Sequence, residues 1–197
     1  MADGKSVRMA GMTQKIKQLV HDFAKVIMAF PEIAYAGEPV LRLQALKVSV
    51  TEGVALGKRL GKILLRYRKA VGYGRGLAAP QIGEGKAVFV TFVDEKLQTF
   101  INPRITKRST QTNFYRELCL SCGFMSADVE RPEWIVMEWT DVEGEKHSQK
   151  FADFLARLYQ HEEAHLRGIL NVDEAYSGGI AFATFDPLKE TLRKTRV

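Results

Sequence analysis

Hydrophobic residues recur every three or four positions in two stretches of the first third of the chain, a spacing typical of amphipathic helices. The apolar positions of the first stretch are Ile16, Leu19, Val20, Phe23, Val26, Ile27 and Phe30. With Thr13 as a candidate N-cap and Pro31 as the stop, this pattern predicts a helix over residues 13–30. The second stretch predicts a helix that begins near Thr51 and ends before Gly72.

The spacing changes in the middle of the chain to the short runs that are typical of strands. The predicted strands cover residues 86–93, 98–101, 134–140 and 146–150. Asn102 and Pro103 are predicted to end the second of them, and Gly144 marks a hairpin turn between the last two. A helix from about residue 151 to residue 168 follows. The order of helices, strands and helix predicts an α+β domain, and the length predicts a single domain over residues 1–197.

The composition narrows the class of protein. Apolar residues make up 46% of the chain and charged residues 26%, which is ordinary for a globular protein. No stretch approaches the roughly 18 uncharged apolar residues of a membrane span, and no secretory signal follows the N-terminus. No membrane association and a cytoplasmic location are therefore expected. A mitochondrial or plastid matrix is the alternative, because the N-terminal residues are basic and could form an amphipathic helix.

Charge and cysteine content add little to this picture. The net charge of +6 mildly favours an anionic neighbour such as RNA, although excess basic residues are usually a solvated surface. The two cysteines, Cys119 and Cys122, are too few and too close together for a disulfide-stapled secreted domain. A reducing compartment with cysteines used as thiolates is the favoured interpretation.

The sharpest chemical signal is the segment His161-Glu162-Glu163-Ala164-His165 in the last predicted helix. Residues four apart share a helix face, so both imidazoles can reach one metal ion. Phe154 and Leu158 fall on the same stripe, which indicates that the histidines face the interior. Glu162 lies one position round the helix, where its carboxylate can reach a water on the metal without binding the metal. Two core histidines four apart by accident are the alternative, which is disfavoured because unpaired buried imidazoles are costly.

A metal site needs a third ligand, and the sequence offers several. Asn171 stands where the extended zinc protease pattern has its third histidine, and neutral Asn is a poor ligand for zinc or iron. Glu174 is a candidate carboxylate ligand, but nothing around it marks it out. Cys119 offers a thiolate, and one thiolate with two imidazoles leaves a fourth position open for water. Adding Cys122 gives a closed structural zinc site as the alternative, although its separation from His161 far exceeds the roughly 12–15 residues of small zinc fingers.

Three separated segments, residues 74–83, 117–121 and 161–165, resemble in this order the motifs of peptide deformylases. Residues 36–42, 100–103 and 129–133 are also similar to that family, so that the resemblance covers about residues 33–174. Taken alone, the glycines of the first segment indicate only a tight turn or a close approach of a ligand to the backbone. The resemblance implies antiparallel or mixed sheets around a central metal-binding helix, with residues 1–30 as an N-terminal helical extension.

The resemblance implies an enzyme that removes the formyl group from the N-terminal formyl-methionine of nascent polypeptides. It implies one divalent metal ion, with Fe(II) as the physiological metal and Zn(II) or Ni(II) as substitutes. The implied ligands are Cys119, His161 and His165. Glu162 would accept the proton of a water on the metal and later deliver it to the departing amine. The Gln81 side-chain amide and the Leu120 backbone N–H would donate to the developing oxyanion.

The resemblance also implies a pocket for the methionine side chain, from which this chain departs at several positions. The residues placed near the substrate are Gly76, Leu118, Arg75, Phe154 and Leu158, with core packing as the alternative for the last two. Leu118 and Arg75 replace a glycine and an apolar residue of the family, so a narrower or more polar pocket is expected. Ala164 stands where the family has an aspartate that would anchor Arg131, so Arg131 is expected to depend on Glu117 alone.

Two other classes of protein are alternatives. One is a metal-dependent amidase or peptidase that acts on a different acyl group with the same ligands. The other is a protein without catalysis, which Glu162 and Gln81 argue against because neither residue would be needed. The basic residues 187–197 are a candidate ribosome contact, with a solvated tail as the alternative.

Overall fold

Three helices lie in the described part of the chain. The structure is a computed structural model that describes residues 4–182, with side chains from residue 13 onward. The helices are α1 (Gly4–Ala29), α2 (Val50–Val71) and α3 (Asp153–Leu166), and short 3-10 turns occur at Pro39–Arg42, Ala79–Ile82, Leu120–Cys122 and Asn171–Glu174. All three predicted helices are confirmed. α1 begins well before the predicted cap, so Thr13 lies inside the helix, and Ser49 caps α2 by accepting a hydrogen bond from the Glu52 N–H.

Eight strands form two antiparallel sheets within residues 4–182. In chain order they are β1 (Gly76–Ala78), β2 (Val88–Val93), β3 (Lys96–Arg108), β4 (Thr112–Leu118), β5 (Met125–Pro132), β6 (Trp134–Thr140), β7 (Lys146–Ala152) and β8 (Ala175–Phe182). One sheet has the order β1-β2-β3-β6-β7 and the other the order β4-β5-β8. The α+β prediction and the β6–β7 hairpin are therefore confirmed.

Helices cover both faces of the larger sheet. Alternate residues of β2 point to opposite faces, so that each set packs against a different helix. Val88 and Val90 pack in one cluster with Leu60 of α2, whereas Phe89 packs in another with Tyr159 of α3. Residues 88–91 of β2 are consequently buried on both faces, which explains why every residue of the strand except Thr91 is apolar. α3 contacts strands of both sheets, including β1 and β7 of the larger and β5 of the smaller. The expected central helix is therefore present.

β3 is much longer than the strand that was predicted there, because Asn102 does not end it. Residues 96–101 pair with β2, and the pairing with β6 shifts register after residue 101. Asn102 has a φ of 50° at this shift. Its Oδ1 accepts from the Val48 N–H at 2.9 Å and its Nδ2 donates to the Val48 carbonyl at 2.8 Å. The predicted stop is an irregularity within one strand, held by the segment before α2.

Some predictions extend beyond residues 4–182 and are not tested by the structure. The candidate basic tail at residues 187–197, and with it the predicted ribosome contact, lies outside the described residues. The assignment of residues 1–197 to one domain stays a prediction. No helix of the described part of the chain has the length and apolar character needed to cross a membrane.

The close approach of α2 to the larger sheet gives a testable consequence for stability. A Cβ atom on Gly53 would lie 2.6, 2.8 and 2.8 Å from three side-chain atoms of Ile101, which is fully buried. Because a close-packed interior leaves Ile101 little room to move, we expect Gly53→Ala to lower the free energy of unfolding by about 1–3 kcal/mol. Chemical denaturation measures this difference. Gly85→Ala is the control, since a Cβ there meets no atom within 4 Å, and equal stability of the two variants would contradict the packing.

Candidate metal centre

One thiol and two imidazoles meet between α3 and the end of β4. Cys119 follows β4 directly, while His161 and His165 lie one turn apart on α3. Their ligand atoms all lie within 4.8 Å of one another, and the His165 Nε2 is 3.4 Å from the Cys119 Sγ. Cys119 and His165 are each 1% exposed and the His161 side chain is 11% exposed, so the cluster is largely shielded from solvent and His161 is its most accessible member. The spacing on the helix and the position after a strand thus bring together the three residues that the sequence suggests as ligands.

Glu117, the last but one residue of β4, orients the first imidazole. Its Oε2 accepts a hydrogen bond from the His161 Nδ1 at 2.9 Å. Since a carboxylate only accepts, this bond places a proton on Nδ1, so that in the neutral imidazole the lone pair is on Nε2. Burial would raise the pKa of Glu117, but the charge of Arg131 and hydrogen bonds from His161 and Arg131 outweigh it and hold the pKa well below its usual range. Glu117 is therefore ionised beside the cluster.

Arg131 has two carboxylate partners, so the expectation that it depends on Glu117 alone was wrong. It donates from Nε and Nη2 to the two oxygens of Glu117 at 2.7 and 2.9 Å. A third bond runs from its Nη1 to the Glu174 Oε2 at 2.9 Å. Glu174 lies in the 3-10 turn after α3, and it contacts Arg131 rather than the ligand cluster. A carboxylate supplied by that turn anchors the guanidinium, while Ala164 is a buried alanine.

Arg157 belongs to the same network and was missed from the sequence. Its Nη1 donates to the Glu117 Oε1 at 2.5 Å and its Nη2 to the Asn113 backbone and side-chain oxygens at 2.8 and 2.7 Å. Arg157 lies between the buried residues Ala156 and Leu158 of α3. An arginine in an otherwise apolar stretch of helix is the signal that could have found it, because a buried guanidinium requires a buried anion.

Glu162 lies in the same buried space as the histidines, one position from His161. Its side chain is 3% exposed, and its Oε2 has no hydrogen-bond partner among the described residues. A Cβ atom on Gly76 would lie 2.1 Å from the Glu162 Oε1, so only glycine leaves room for the carboxylate at that point of β1. Burial raises the pKa of Glu162 to about 7. A carboxyl group with such a pKa can both take up and release a proton near neutral pH.

The Gln81 amide points from the neighbouring 3-10 turn toward the thiol. Its Oε1 accepts from the Ala78 N–H at 2.8 Å, which fixes the orientation of the side chain. Its Nε2 donates to the Ser121 Oγ at 3.2 Å and lies 3.5 Å from the Cys119 Sγ. The donor end of the amide therefore faces the cluster. Leu120, whose backbone N–H is the second predicted oxyanion donor, begins the 3-10 turn after Cys119.

The other residues predicted to contact substrate differ in burial and in their neighbours. Leu118 is half-buried at the end of β4, and the guanidinium of Arg75 lies 4.9 Å from the ring centroid of Phe154. Leu158 is 9% exposed and belongs to the main core cluster, against which Phe154 packs. Core packing therefore accounts for Leu158, and a part in substrate binding stays a prediction for all of these side chains.

Two residues that were weighed as alternative ligands have other contacts. Cys122 is not among the residues whose ligand atoms converge, and it packs in an apolar cluster that includes Cys119 and Leu170. Asn171 donates from its Nδ2 to the Glu117 backbone carbonyl at 3.2 Å. The geometry thus favours a cluster of three ligands over a closed cluster with two cysteines.

Comparison with known proteins agrees with the resemblance. A family model described as polypeptide deformylase matches residues 30–179. The peptide deformylase of Pseudothermotoga lettingae is 37% identical over 142 residues, which are 72% of this chain and 81% of that protein. A crystal structure of an Acinetobacter baumannii peptide deformylase bound to Met-Ala-Ser has a TM-score of 0.66 at 29% identity and covers 72% of this chain and 96% of that one. A probable peptide deformylase from Synechococcus phage S-SSM7 has a TM-score of 0.66 at 31% identity, covering 72% and 97%.

Proposed function

The chain belongs to the polypeptide deformylase family, and we propose that it removes the formyl group from the N-terminal formyl-methionine of nascent polypeptides, releasing formate. The observation that carries this proposal is the buried cluster of Cys119, His161 and His165, with the Glu162 carboxylate beside it. A site of this composition is suited to hydrolysis, because it combines metal ligands with a proton acceptor.

The described residues fit a divalent metal ion on Cys119, His161 and His165. A thiolate and two imidazoles are donors that suit Fe(II) and Zn(II), and three protein ligands leave a position open for water. Fe(II) is the proposed physiological metal, with Zn(II) or Ni(II) as substitutes. The hydrogen bond from the His161 Nδ1 to Glu117 supports the assignment of His161 as a ligand, because Nδ1 is engaged and Nε2 is the nitrogen that can bind the metal. When bound, the ion supplies Lewis acidity that lowers the pKa of a coordinated water.

Glu162 is the proposed general base and general acid. Its unpaired buried Oε2 would accept the proton of the attacking water, and the carboxyl would then pass that proton to the departing amine. The water oxygen bonds to the formyl carbon and the carbon–nitrogen bond breaks, so that formate and a free N-terminal amine are the products. In the metal-free protein, burial raises the pKa of Glu162 to about 7, so that desolvation makes this carboxyl a stronger proton acceptor than an exposed glutamate.

Gln81 and Leu120 are the proposed donors to the oxyanion that develops on the formyl oxygen. The Gln81 Nε2 faces the cluster because its Oε1 is held by the Ala78 N–H. The Leu120 backbone N–H follows Cys119 directly. Donors that are fixed before the reaction stabilise a developing charge without reorganisation. Gly76, Leu118, Arg75, Phe154 and Leu158 are the residues proposed to contact the formyl-methionyl substrate.

The acyl group on the substrate best distinguishes a deformylase from an amidase that acts on a different group. We expect the protein to release formate from formyl-Met-Ala-Ser and to leave acetyl-Met-Ala-Ser and unblocked Met-Ala-Ser intact, since the cluster is buried and a formyl group is the smallest acyl group. Mass spectrometry of the three peptides after incubation with metal-loaded protein measures this. Cleavage of the acetyl peptide at a similar rate, or of a peptide bond in the unblocked one, would overturn the proposal.

A further inference from the structure

Glu174 completes an ion network that reaches the proposed metal ligand His161. Arg131 binds Glu117 through two hydrogen bonds and Glu174 through a third, and its side chain is 5% exposed. Glu117 in turn accepts from the His161 Nδ1. The contacts therefore run without a break from Glu174 through Arg131 and Glu117 to the imidazole.

The charges of this network balance only when Glu174 is counted. Glu117 is shared by two guanidinium groups, those of Arg131 and Arg157, both of which are buried. Within the described residues, the ion pairs of these two arginines involve two carboxylates, Glu117 and Glu174. Two positive and two negative charges then lie beside His161. Without Glu174, one buried positive charge is left uncompensated next to the imidazole.

The turn that carries Glu174 is tied to Glu117 a second time. Asn171 opens this 3-10 turn, and its Nδ2 donates to the Glu117 backbone carbonyl at 3.2 Å. The turn therefore holds Glu117 through its backbone and, by way of Arg131, through its carboxylate. Together with the hydrogen bond from Arg157, this double attachment holds the Glu117 carboxylate toward His161.

The pair of Glu174 and Arg131 differs from the surface ion pairs of this chain. The exposed fractions of the two side chains are 31% and 5%, whereas Arg104 and Glu138 pair at 71% and 45%. Exposed pairs contribute little, but the loss of one partner of a buried charge is costly. Glu174, Arg131 and Glu130 all line one cavity of about 100 Å³. A small anion therefore has a route to Arg131 if Glu174 is shortened.

We propose that Glu174 is a positioning residue that sets the metal affinity of the site through Arg131, Glu117 and His161. This inference rests on the proposed metal site. The excess positive charge left by its removal would weaken the hydrogen bond that orients His161 and would oppose the approach of a cation. Partners outside the ligand set commonly change metal affinity by about 10–100-fold.

The test compares Glu174→Gln with Glu130→Gln. The second variant removes a carboxylate that lines the same cavity but does not belong to the ion network. Zn(II) dissociation constants are measured by competition with a chelator, without substrate. We expect Glu174→Gln to weaken binding by about tenfold or more and Glu130→Gln to change it less than about twofold. Equal affinities of Glu174→Gln and the parent would overturn the inference. Absence of Zn(II) binding by the parent would overturn the metal site itself.

Chemical rescue separates positioning from a general loss of structure. Glu174→Ala shortens the side chain beside the cavity, and added acetate can then pair with Arg131. We expect acetate to restore part of the Zn(II) affinity of this variant and to leave the affinity of the parent unchanged. A Glu174→Ala protein that is folded by circular dichroism, binds Zn(II) weakly and does not respond to acetate would contradict the proposed charge compensation.

Discussion

Glu162→Gln is expected to lower the rate of formate release by about 10²–10⁴-fold while the variant still binds one metal ion per chain. Glutamine keeps the shape of the side chain in the space beside Gly76, but it cannot take the proton of a water or deliver it to the amine. The comparison of kcat and metal content between variant and parent measures this. Glu163→Gln is the matched control, because the adjacent carboxylate pairs with Arg167 instead of facing the cluster. Full activity of Glu162→Gln would exclude Glu162 as the base.

The same substitution should stabilise the metal-free protein at neutral and higher pH. Burial raises the pKa of Glu162 from 4.5 to about 7, so the folded state binds this proton more tightly than the unfolded state. The stabilisation by the bound proton is present below pH 4.5 and is lost as the pH rises through about 7. Above that pH, burying the charge costs at most about 3 kcal/mol, which Glu162→Gln avoids. Denaturation curves of the two proteins should converge at low pH, and a constant difference would contradict the assignment.

Cys119→Ala is expected to abolish stoichiometric metal binding and formate release together, since two imidazoles alone hold a metal weakly. Cys122→Ala removes the other thiol and is expected to retain both properties, because Cys122 lies in an apolar cluster and not among the converging ligand atoms. Metal content after dialysis and the rate of formate release are measured on both variants. Loss of metal in Cys122→Ala as well would favour the closed site with two cysteines.

The three helices and the two histidines of the cluster could be predicted from the sequence because they depend on local spacing. His161 and His165 share a helix face wherever that helix lies, and the period of α2 marks its buried side. Cys119 needed the order of several motifs, since nothing near it in the sequence indicates which residues it will meet.

The resemblance suggested the pairing of Arg131 with Glu117, but the rest of the ion network could not be predicted because its members are far apart along the chain. Arg131 lies 43 positions from Glu174, and Arg157 lies 40 positions from Glu117. Their pairing depends on how β5, α3 and the turn after α3 pack together. In the sequence, Glu174 is only a candidate metal ligand that nothing around it marks out, whereas its contact is with Arg131.

The strands of the smaller sheet were missed for a related reason. β4 and β5 carry charged residues such as Arg116 and Asp128, which lie opposite each other and form two hydrogen bonds of 2.7 Å. Cross-strand charge pairs of this kind replace the apolar alternation by which a strand is usually recognised. β1 was missed because its three residues lie within residues 74–83, whose glycines indicate a turn.

The dependence of formate release on added metal tests the central claim most directly. The protein is stripped with a chelator under anaerobic conditions and titrated with Fe(II), and formate release from formyl-Met-Ala-Ser is followed at each addition. The proposed site predicts no release by the stripped protein and a linear rise that reaches its plateau at one Fe(II) per chain. Release by the stripped protein, or no release at full Fe(II) occupancy, would contradict a metal-dependent deformylase at Cys119, His161 and His165.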